Sequence, residues 1–98
     1  RLAIGELVVD RRAQEARRVG RPLRLTPQTW QILLMLAEAH PAPVARHELS
    51  RRLWGDEPPD SDSLRSHIHL LRQALDKPFA TPMLETIQMA VRASNAVR

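Results

Sequence analysis

Residues 61–76 read SDSLRSHIHLLRQALD, and this stretch decides the fold. At about 100° per residue, its aliphatic side chains fall on one face of a helix and its polar side chains lie away from that face. The aliphatic set is Leu64, Ile68, Leu71 and Leu75. The pattern predicts an amphipathic helix that packs one face on a core and exposes the other.

A longer helix is predicted upstream, from about 27 to 39. Thr26 is a good N-cap, and Pro27 loses no hydrogen bond at a first helical position. Pro41 and Pro43 prevent the helix from continuing. Its apolar residues cover several faces, which is typical of a buried helix.

A short helix is predicted between these two, over about 46–54. Leu49 and Leu53 stand at positions i and i+4, and Gly55 suits a left-handed C-cap. Each of the three residues at 60–62 is able to cap the third helix, which is predicted over about 61–76.

The two ends of the chain have strand character. Residues from about 2 to 25 are predicted to form an antiparallel sheet with strands at 14–18 and 21–25, and Gly20 supplies the positive φ of the turn between them. Residues from about 83 to 94 are predicted to form a last hairpin. The order of sheet, three helices and hairpin predicts an α+β fold, the winged helix-turn-helix.

Composition sets the outer limits. The chain has 98 residues, 43% hydrophobic and 27% charged, which suits a single globular domain over 1–98 and excludes a second core. The lack of cysteine excludes a disulfide scaffold and fits a reducing cytoplasm. No apolar run approaches the roughly 18–20 residues of a membrane span. We expect a cytoplasmic protein without membrane contact, cut from a longer chain because it begins at Arg1 rather than Met.

The charge balance indicates a polyanionic partner. Fifteen basic residues oppose eleven acidic ones, giving a net charge of +4 and a sequence pI near 11.2. All but Lys77 of the basic residues are arginine, whose planar fork suits phosphates and guanine edges, although codon bias in a GC-rich genome also produces this ratio. The basic residues concentrate at the two ends of the chain, and the middle is mildly acidic.

Several motifs resemble one family in order and spacing. They are Leu25-Thr26-Pro27, Trp30 to Leu34, Arg46 to Leu49, Leu53-Trp54-Gly55 and His67 to Leu75. Over nearly the whole chain, they resemble the C-terminal DNA-binding domain of OmpR/PhoB-type response regulators. The resemblance implies a four-stranded sheet, three helices and a hairpin wing. It also implies that the third helix inserts into the major groove of double-stranded DNA.

The same resemblance implies a place in bacterial two-component signalling. Full-length relatives carry a phosphorylated receiver domain, which would precede Arg1, and they commonly bind tandem half-sites as homodimers to control transcription. The family's DNA-facing positions fall on Asp62, Ser63, Arg65, Ser66, His69, Leu70 and Arg72. Gln73, on the outward face of the same helix, is a further candidate DNA contact. The implied function is sequence-specific DNA binding as the effector of a response regulator.

Three of these positions differ in their predicted role. Arg72 matches an arginine that in relatives usually serves the phosphate backbone. Arg65 occupies a position that is often acidic in relatives, where its fork either grips a guanine or stays solvated. Leu70 stands where relatives often have arginine, and it either touches a thymine methyl or packs on the neighbouring loop.

The predicted wing departs from the family pattern. Relatives close it with a Gly-x-Gly-aromatic-Arg segment, whereas Ile87 is followed here by residues without glycine or aromatic character. A tight tip is hard to form without a residue that tolerates positive φ, so the wing is expected to be longer, distorted or frayed. Gln88 and Arg92 are its candidate DNA contacts. This departure sustains the alternative function, a winged helix that docks on RNA polymerase or a partner regulator with little DNA binding.

Two other charged groups suggest protein contacts. The loop that contains Asp56, Glu57 and Asp60 corresponds to one that in some relatives touches RNA polymerase, or it is a solvated acidic turn. A set of arginines on the N-terminal sheet either faces a neighbouring protomer or receiver domain, or only adds solubility. That set is Arg11, Arg12, Arg17, Arg18, Arg21 and Arg24.

The residues do not predict catalysis. His67 and His69 cannot share a metal ion, because residues two apart on a helix point about 200° apart. His67 is expected near the margin of the core or near a phosphate. No Gly-rich phosphate loop or nucleophile elbow accompanies the serines, histidines and acids. We expect no metal, no cofactor and no enzymatic activity.

Overall fold

The chain begins with a four-stranded antiparallel sheet in the order of the sequence. In the computed structural model, which describes residues 2–57, 62–79, 83–87 and 90–93, its strands are β1 (Leu2–Ile4), β2 (Leu7–Asp10), β3 (Glu15–Arg18) and β4 (Arg21–Pro22). Side chains alternate between faces, so Leu7, Val9 and Ala16 are buried. β4 ends at Pro22, before the predicted Leu25, although the Leu23 N–H still donates to the Ala16 carbonyl at 2.9 Å.

Val19 and Gly20 form the turn between β3 and β4. Both have positive φ, 53° and 74°, which is the backbone of a type I′ hairpin turn. Gly20 therefore has the role predicted for it. Val19 is an unusual occupant, because a β-branched residue is strained in the left-handed region and its side chain is 59% exposed.

The first two helices are α1 (Pro27–Ala39) and α2 (Arg46–Trp54). Thr26 caps α1 as predicted, since its hydroxyl accepts a hydrogen bond from the Thr29 amide at 3.2 Å. α1 is buried on several sides, whereas only Leu49 is fully buried in α2. Gly55 ends α2 with a positive φ of 69° and donates its N–H to the Arg51 carbonyl.

The third helix, α3 (Ser63–Leu75), is shorter than the predicted range of 61–76. Asp62 precedes it and makes no side-chain capping hydrogen bond, so the predicted acidic cap is not found at that residue. The predicted aliphatic face is buried, and α3 packs with it against α1. These residues join one core with β2, β3, α1 and α2.

A second sheet of three strands carries the C-terminal hairpin. β5 (Val44–Ala45) precedes α2, and β6 (Leu84–Ile87) and β7 (Ala90–Ala93) pair with each other. The order is β5-β7-β6, with β5 an unpredicted addition. Ile87 pairs with Ala90, so these two strands keep a regular antiparallel register up to the tip. The tip residues Gln88 and Met89 lie outside the described residues.

Arg18 is a buried cation that connects the sheet to α3. Its side chain is 0% exposed, so the expectation that it is a surface arginine of the N-terminal sheet is wrong. Nη1 donates to the Leu75 carbonyl at 2.7 Å and lies 3.3 Å from Asp76 Oδ1, and Nε donates to Glu6 at 3.0 Å. The guanidinium also stacks 4.7 Å from the centroid of the Phe79 ring.

Asp76 extends this connection to the hairpin. Its two carboxylate oxygens accept the backbone N–H groups of Met83 at 2.8 Å and Leu84 at 3.2 Å, where β6 begins. The carboxylate is only 8% exposed, and a buried carboxylate needs hydrogen-bond partners. Arg18 and two backbone amides supply them. We name this group of contacts among Glu6, Arg18, Asp76 and the start of β6 the Arg18–Asp76 clamp.

Among the residues that the structure describes, no helix is both long enough and apolar enough to cross a bilayer.

Replacing Val19 should stabilise the domain. In Val19→Asn the turn becomes Asn-Gly, the preferred type I′ pair, and the strain of a β-branched residue at positive φ is removed. We expect a gain of about 1 kcal/mol, or a rise in Tm of roughly 4–8 °C, by thermal denaturation. Gly20→Ala should lower Tm for the converse reason, and equal Tm values for all three proteins would contradict the turn geometry.

Breaking the Arg18–Asp76 clamp should destabilise the fold severely. Arg18→Met leaves the buried Asp76 carboxylate without its cation, and we expect it to lower the free energy of unfolding by about 3–5 kcal/mol. Asp76→Asn removes one of the carboxylates that Arg18 contacts, while Glu6 remains, so we expect a smaller loss. Urea denaturation measures this. Arg17→Met is the matched control, since Arg17 is the adjacent residue of β3 and is exposed. A loss at Arg18 no larger than the loss at Arg17 would show that the clamp is not required.

Candidate nucleic-acid interface

The outer face of α3 carries the predicted DNA-facing side chains. Asp62, which precedes the helix, is exposed, and so are six residues within it, whereas Ser63 is half-buried. The six are Arg65, Ser66, His69, Leu70, Arg72 and Gln73. Because the opposite face is buried in the core, α3 presents these side chains together.

Two arginines form one edge of this face. Arg65 and Arg72 are seven residues apart, which is close to two helical turns, so they lie in line and about 10 Å apart along the axis. Both are exposed. We name this line the arginine edge. Its two guanidinium groups provide planar forks that suit phosphate oxygens and guanine edges.

Polar side chains occupy the middle of the exposed face. The Gln73 amide nitrogen lies 3.1 Å from His69 Nε2, one turn away. The two groups are therefore within hydrogen-bonding distance of each other. The bond orients the Gln73 amide, and with Ser66 nearby this strip offers donors and acceptors of the kind that read base edges.

Leu70 lies on the opposite edge of α3 and lines an open groove. Its side chain is 43% exposed. The groove has a volume of about 520 Å³ and is lined with apolar side chains from α3, from the residues after it and from the segment between β4 and α1, together with exposed arginines. Leu23, Leu70, Ala74, Pro78 and Phe79 are its main apolar residues, and Arg21 and Arg24 its arginines. We name it the Leu70 groove.

α2 contributes cations that the sequence analysis did not select. Arg51 and Arg52 are exposed near its C-terminal end, and His47 is exposed one turn earlier. Arg51 pairs with Glu48 at 2.9 Å, and this hydrogen bond lowers the pKa of Glu48 and raises that of Arg51. The signal that reveals them is the run of basic residues in a short helix that precedes α3, with His47 and Arg51 about 160° from the buried Leu49.

Trp54 and His67 join α2 to α3. Their ring centroids are 5.8 Å apart and the rings are tilted by 36°. His67 is half-buried at the margin of the core, as expected, and its Nδ1 is buried without a hydrogen-bond partner. The part of the chain that the structure describes holds no group of three or more His, Asp or Glu residues placed to bind a metal.

The remaining predicted site residues are dispersed. Asp56 and Glu57 are exposed after Gly55, and Asp60 lies outside the described residues. Arg92 is on β7 opposite Glu85, and Gln88 lies outside the described residues. On the N-terminal side, Arg11 pairs with Glu38 at 2.7 Å. Arg12, Arg17, Arg21 and Arg24 are exposed.

The fold and this face define a winged helix-turn-helix domain. Residues 20–90 match the family model described as "Transcriptional regulatory protein, C terminal". The chain belongs to this family, which includes the DNA-binding domains of OmpR/PhoB-type response regulators. It is 40% identical over 53 residues to the transcriptional regulatory protein CseB of Streptomyces coelicolor, covering 54% of this chain and 23% of CseB. The chain spans about a quarter to two fifths of the length of the curated relatives it matches.

Solved structures share the whole architecture. The DNA-binding domain of CpxR from Escherichia coli superposes with a TM-score of 0.79 at 28% identity and covers 98% of this chain and 97% of that one. The Klebsiella pneumoniae RstA DNA-binding domain, solved in complex with the RstA box, superposes with a TM-score of 0.81 at 19% identity and covers 96% of each chain. The first of these supports the family, and the second supports the fold.

Removing Glu48 should strengthen binding to DNA. Glu48→Gln releases Arg51 from its carboxylate partner and removes a negative charge close to Arg52, so we expect a gain of about two- to fivefold in duplex affinity at low salt. Fluorescence anisotropy over a salt series measures this. Glu38→Gln is the control, because Glu38 on α1 is the ion-pair partner of Arg11 and its substitution changes the net charge by the same amount as Glu48→Gln. If both variants tighten binding alike, the effect is one of net charge and α2 has no specific role.

Proposed function

We propose that this domain binds double-stranded DNA in a sequence-specific manner, with α3 in the major groove, as the effector part of a bacterial response regulator that controls transcription. One observation carries the proposal. α3 buries its aliphatic face and presents the arginine edge beside a strip of hydrogen-bonding side chains. A major groove about 12 Å wide admits one such helix.

The contacts divide by their chemistry. Arg65, in the first half of α3, donates its fork to a guanine edge, and Ser66, His69 and Gln73 bond neighbouring bases. Arg72, in the last turn, serves a phosphate and therefore contributes affinity without sequence information. Asp62 and Ser63 lie at the entrance of the helix, where Ser63 suits a phosphate or a base edge.

Other elements add phosphate contacts. In a helix-turn-helix the first helix crosses the DNA backbone, and α2 provides His47, Arg51 and Arg52 on its exposed side. Arg92 of the wing and Gln88 near its tip are further candidates for the phosphates or the minor groove. With about four to six phosphates contacted, the logarithm of affinity should fall with the logarithm of salt concentration with a slope of roughly −4 to −5.

The wider protein context is part of the proposal. Relatives are named as transcriptional regulatory proteins and as a heme response regulator, and this chain spans only part of their length. This context implies three partners: a receiver domain, a second copy of the chain on tandem half-sites, and RNA polymerase. Asp56, Glu57 and Asp60 would contact the polymerase. The proposed activity is binding, and it assigns no catalytic step to any residue.

A second candidate function is docking on a protein with little DNA binding. Leu70 favours it, since an apolar residue exposed at a DNA-facing position suits a protein surface better than phosphates. Binding to a protein without salt-dependent duplex binding would identify this function.

Selection from a randomised duplex library tests the main proposal. The wild-type domain should enrich one motif. Arg65→Ala should relax that motif at one position, with a loss of about 1–3 kcal/mol of discrimination, whereas Arg72→Ala should weaken all sequences alike and reduce the salt slope by about 1. Arg12→Ala is the control, because it removes an exposed arginine on the turn between β2 and β3.

The outcomes separate the two functions. A folded domain that enriches no sequence and shows a flat salt dependence would reject DNA binding and leave the protein-docking function. An enriched motif that Arg65→Ala leaves unchanged would reject Arg65 as a base-reading residue while keeping DNA binding.

A further inference from the structure

The Leu70 groove combines an apolar floor with a cationic rim. Leu23 from the segment before α1, Leu70 from α3 and Phe79 from the segment after α3 provide the apolar surface. Leu70 is, with Val19, one of two large hydrophobic side chains that are exposed among the residues whose burial the structure describes. Exposed apolar surface that is bordered by polar residues is typical of an interaction site.

Arg21 and Arg24 form the cationic rim. Both are exposed and line the groove, and the Arg21 guanidinium lies 6.0 Å from the centroid of the Phe79 ring. Within residues 2–57, 62–79, 83–87 and 90–93, neither arginine forms an ion pair, and no acidic residue is among those that line the groove. The positive charge is therefore not compensated there, which favours a partner that carries carboxylates.

The open shape of the groove favours a peptide over a small molecule. Its volume is about 520 Å³, but it opens to solvent, whereas sites for small molecules enclose most of the ligand's surface. A peptide can follow an open groove, placing apolar side chains on Leu70 and Phe79 and carboxylates beside the two arginines. A phosphate backbone would meet the arginines but has no apolar groups to cover Leu70 and Phe79. The groove therefore matches an acidic segment with aromatic or aliphatic side chains.

The groove does not reach the arginine edge. Leu70 is five residues after Arg65 and two before Arg72, so at about 100° per residue it points roughly 140–160° away from both. A peptide in the groove would therefore contact neither Arg65 nor Arg72.

The polar strip in the middle of α3, by contrast, borders the groove. Gln73 lines the groove, and its amide nitrogen lies 3.1 Å from His69 Nε2. Gln73 points about 60° from Leu70 and about 170° from the middle of the buried face, so it occupies the centre of the outward face. A peptide in the groove would therefore cover the centre of the face that is proposed to read bases.

We propose that the Leu70 groove binds an acidic segment of a separate protein, and that this binding excludes duplex DNA. Aromatic or aliphatic side chains of the segment pack on Leu70 and Phe79, and its carboxylates face Arg21 and Arg24. The docking depends on the groove alone. The exclusion rests on the proposed function, because it requires Gln73 and its neighbours on α3 to face the bases. The partner is thus an inhibitory protein that holds the domain away from DNA.

A peptide-display selection without DNA tests the docking. A library of short randomised peptides is passed over the wild-type chain, and the enriched peptides should combine carboxylates with aromatic or leucine side chains. One enriched peptide, synthesised with a fluorescent label, then serves as the probe in anisotropy titrations. Its affinity should fall as salt rises, because the arginines that it meets are exposed. A selection that enriches no peptide, or only basic peptides, would overturn the proposal.

Charge reversal at the rim tests where the probe binds. Arg21→Glu with Arg24→Glu should weaken the labelled peptide by about tenfold or more, because like charges then meet across the contact. Arg12→Glu with Arg17→Glu is the matched control, since it changes the net charge equally at exposed arginines that do not line the groove. Equal losses in the two double variants would show that the peptide responds only to net charge, and would overturn the site.

A substitution of the apolar floor gives a second readout. Leu70→Asn should weaken the labelled peptide about tenfold, because an apolar anchor then loses its contact. Val19→Asn is the matched control, because Val19 is exposed but does not line the groove. Circular dichroism establishes that each variant is folded. A peptide that binds Leu70→Asn as tightly as Val19→Asn would reject the groove as its site.

Competition tests the exclusion of DNA. Unlabelled peptide, added to the wild-type chain on a labelled duplex from the library selection, should displace the duplex. A complex that holds chain, peptide and duplex together would overturn the exclusion. A chain that binds the peptide but enriches no duplex would reject the proposed function and leave the docking site standing. If Arg21→Glu with Arg24→Glu lost duplex binding at unchanged peptide affinity, the two arginines would serve phosphates and the proposal would be wrong.

Discussion

The contact on which the rest of the structure depends is the buried Arg18–Asp76 pair. A cation from β3 meets the carboxylate that follows α3, and the same carboxylate holds two amides at the start of β6. One buried group thus fixes the sheet, the C-terminal end of α3 and the hairpin relative to each other. A buried charge needs this degree of satisfaction, because each unpaired partner costs several kcal/mol. Because the Arg18–Asp76 pair holds the C-terminal end of α3, it also fixes the direction in which the exposed face of α3 points.

α3 is organised as a helix with three uses. Its aliphatic face is buried against α1, its arginine edge and polar strip face solvent, and its other edge borders an apolar groove. The three sets interleave in the sequence, yet they separate by angle around the helix axis. Leu70, which looks anomalous among DNA-facing positions, becomes explicable when it is placed on the edge away from Arg65 and Arg72.

Residue patterns within one or two helical turns predict the helices. Contacts between residues far apart in the sequence cannot be predicted in this way. The spacing of Leu64, Ile68, Leu71 and Leu75 determines the buried face of α3, and Thr26 with Pro27 determines where α1 begins, so both are visible within one or two turns of sequence. The burial of Arg18 is not visible in the local sequence, because the Asp76 carboxylate that it meets lies 58 residues away. β5 was missed for the same reason, since its two residues become a strand only when β7 lies beside them.

The support of α3 has a consequence for how such domains diversify. Its position depends on an inward aliphatic face and on Asp76 beyond its last turn, whereas Arg65, Ser66 and His69 are exposed on the outward side. Evolution can therefore exchange the outward residues one by one while the scaffold keeps its shape. A domain with this clamp can therefore change the DNA sequence it binds by point substitution of an outward residue, while the domain remains folded.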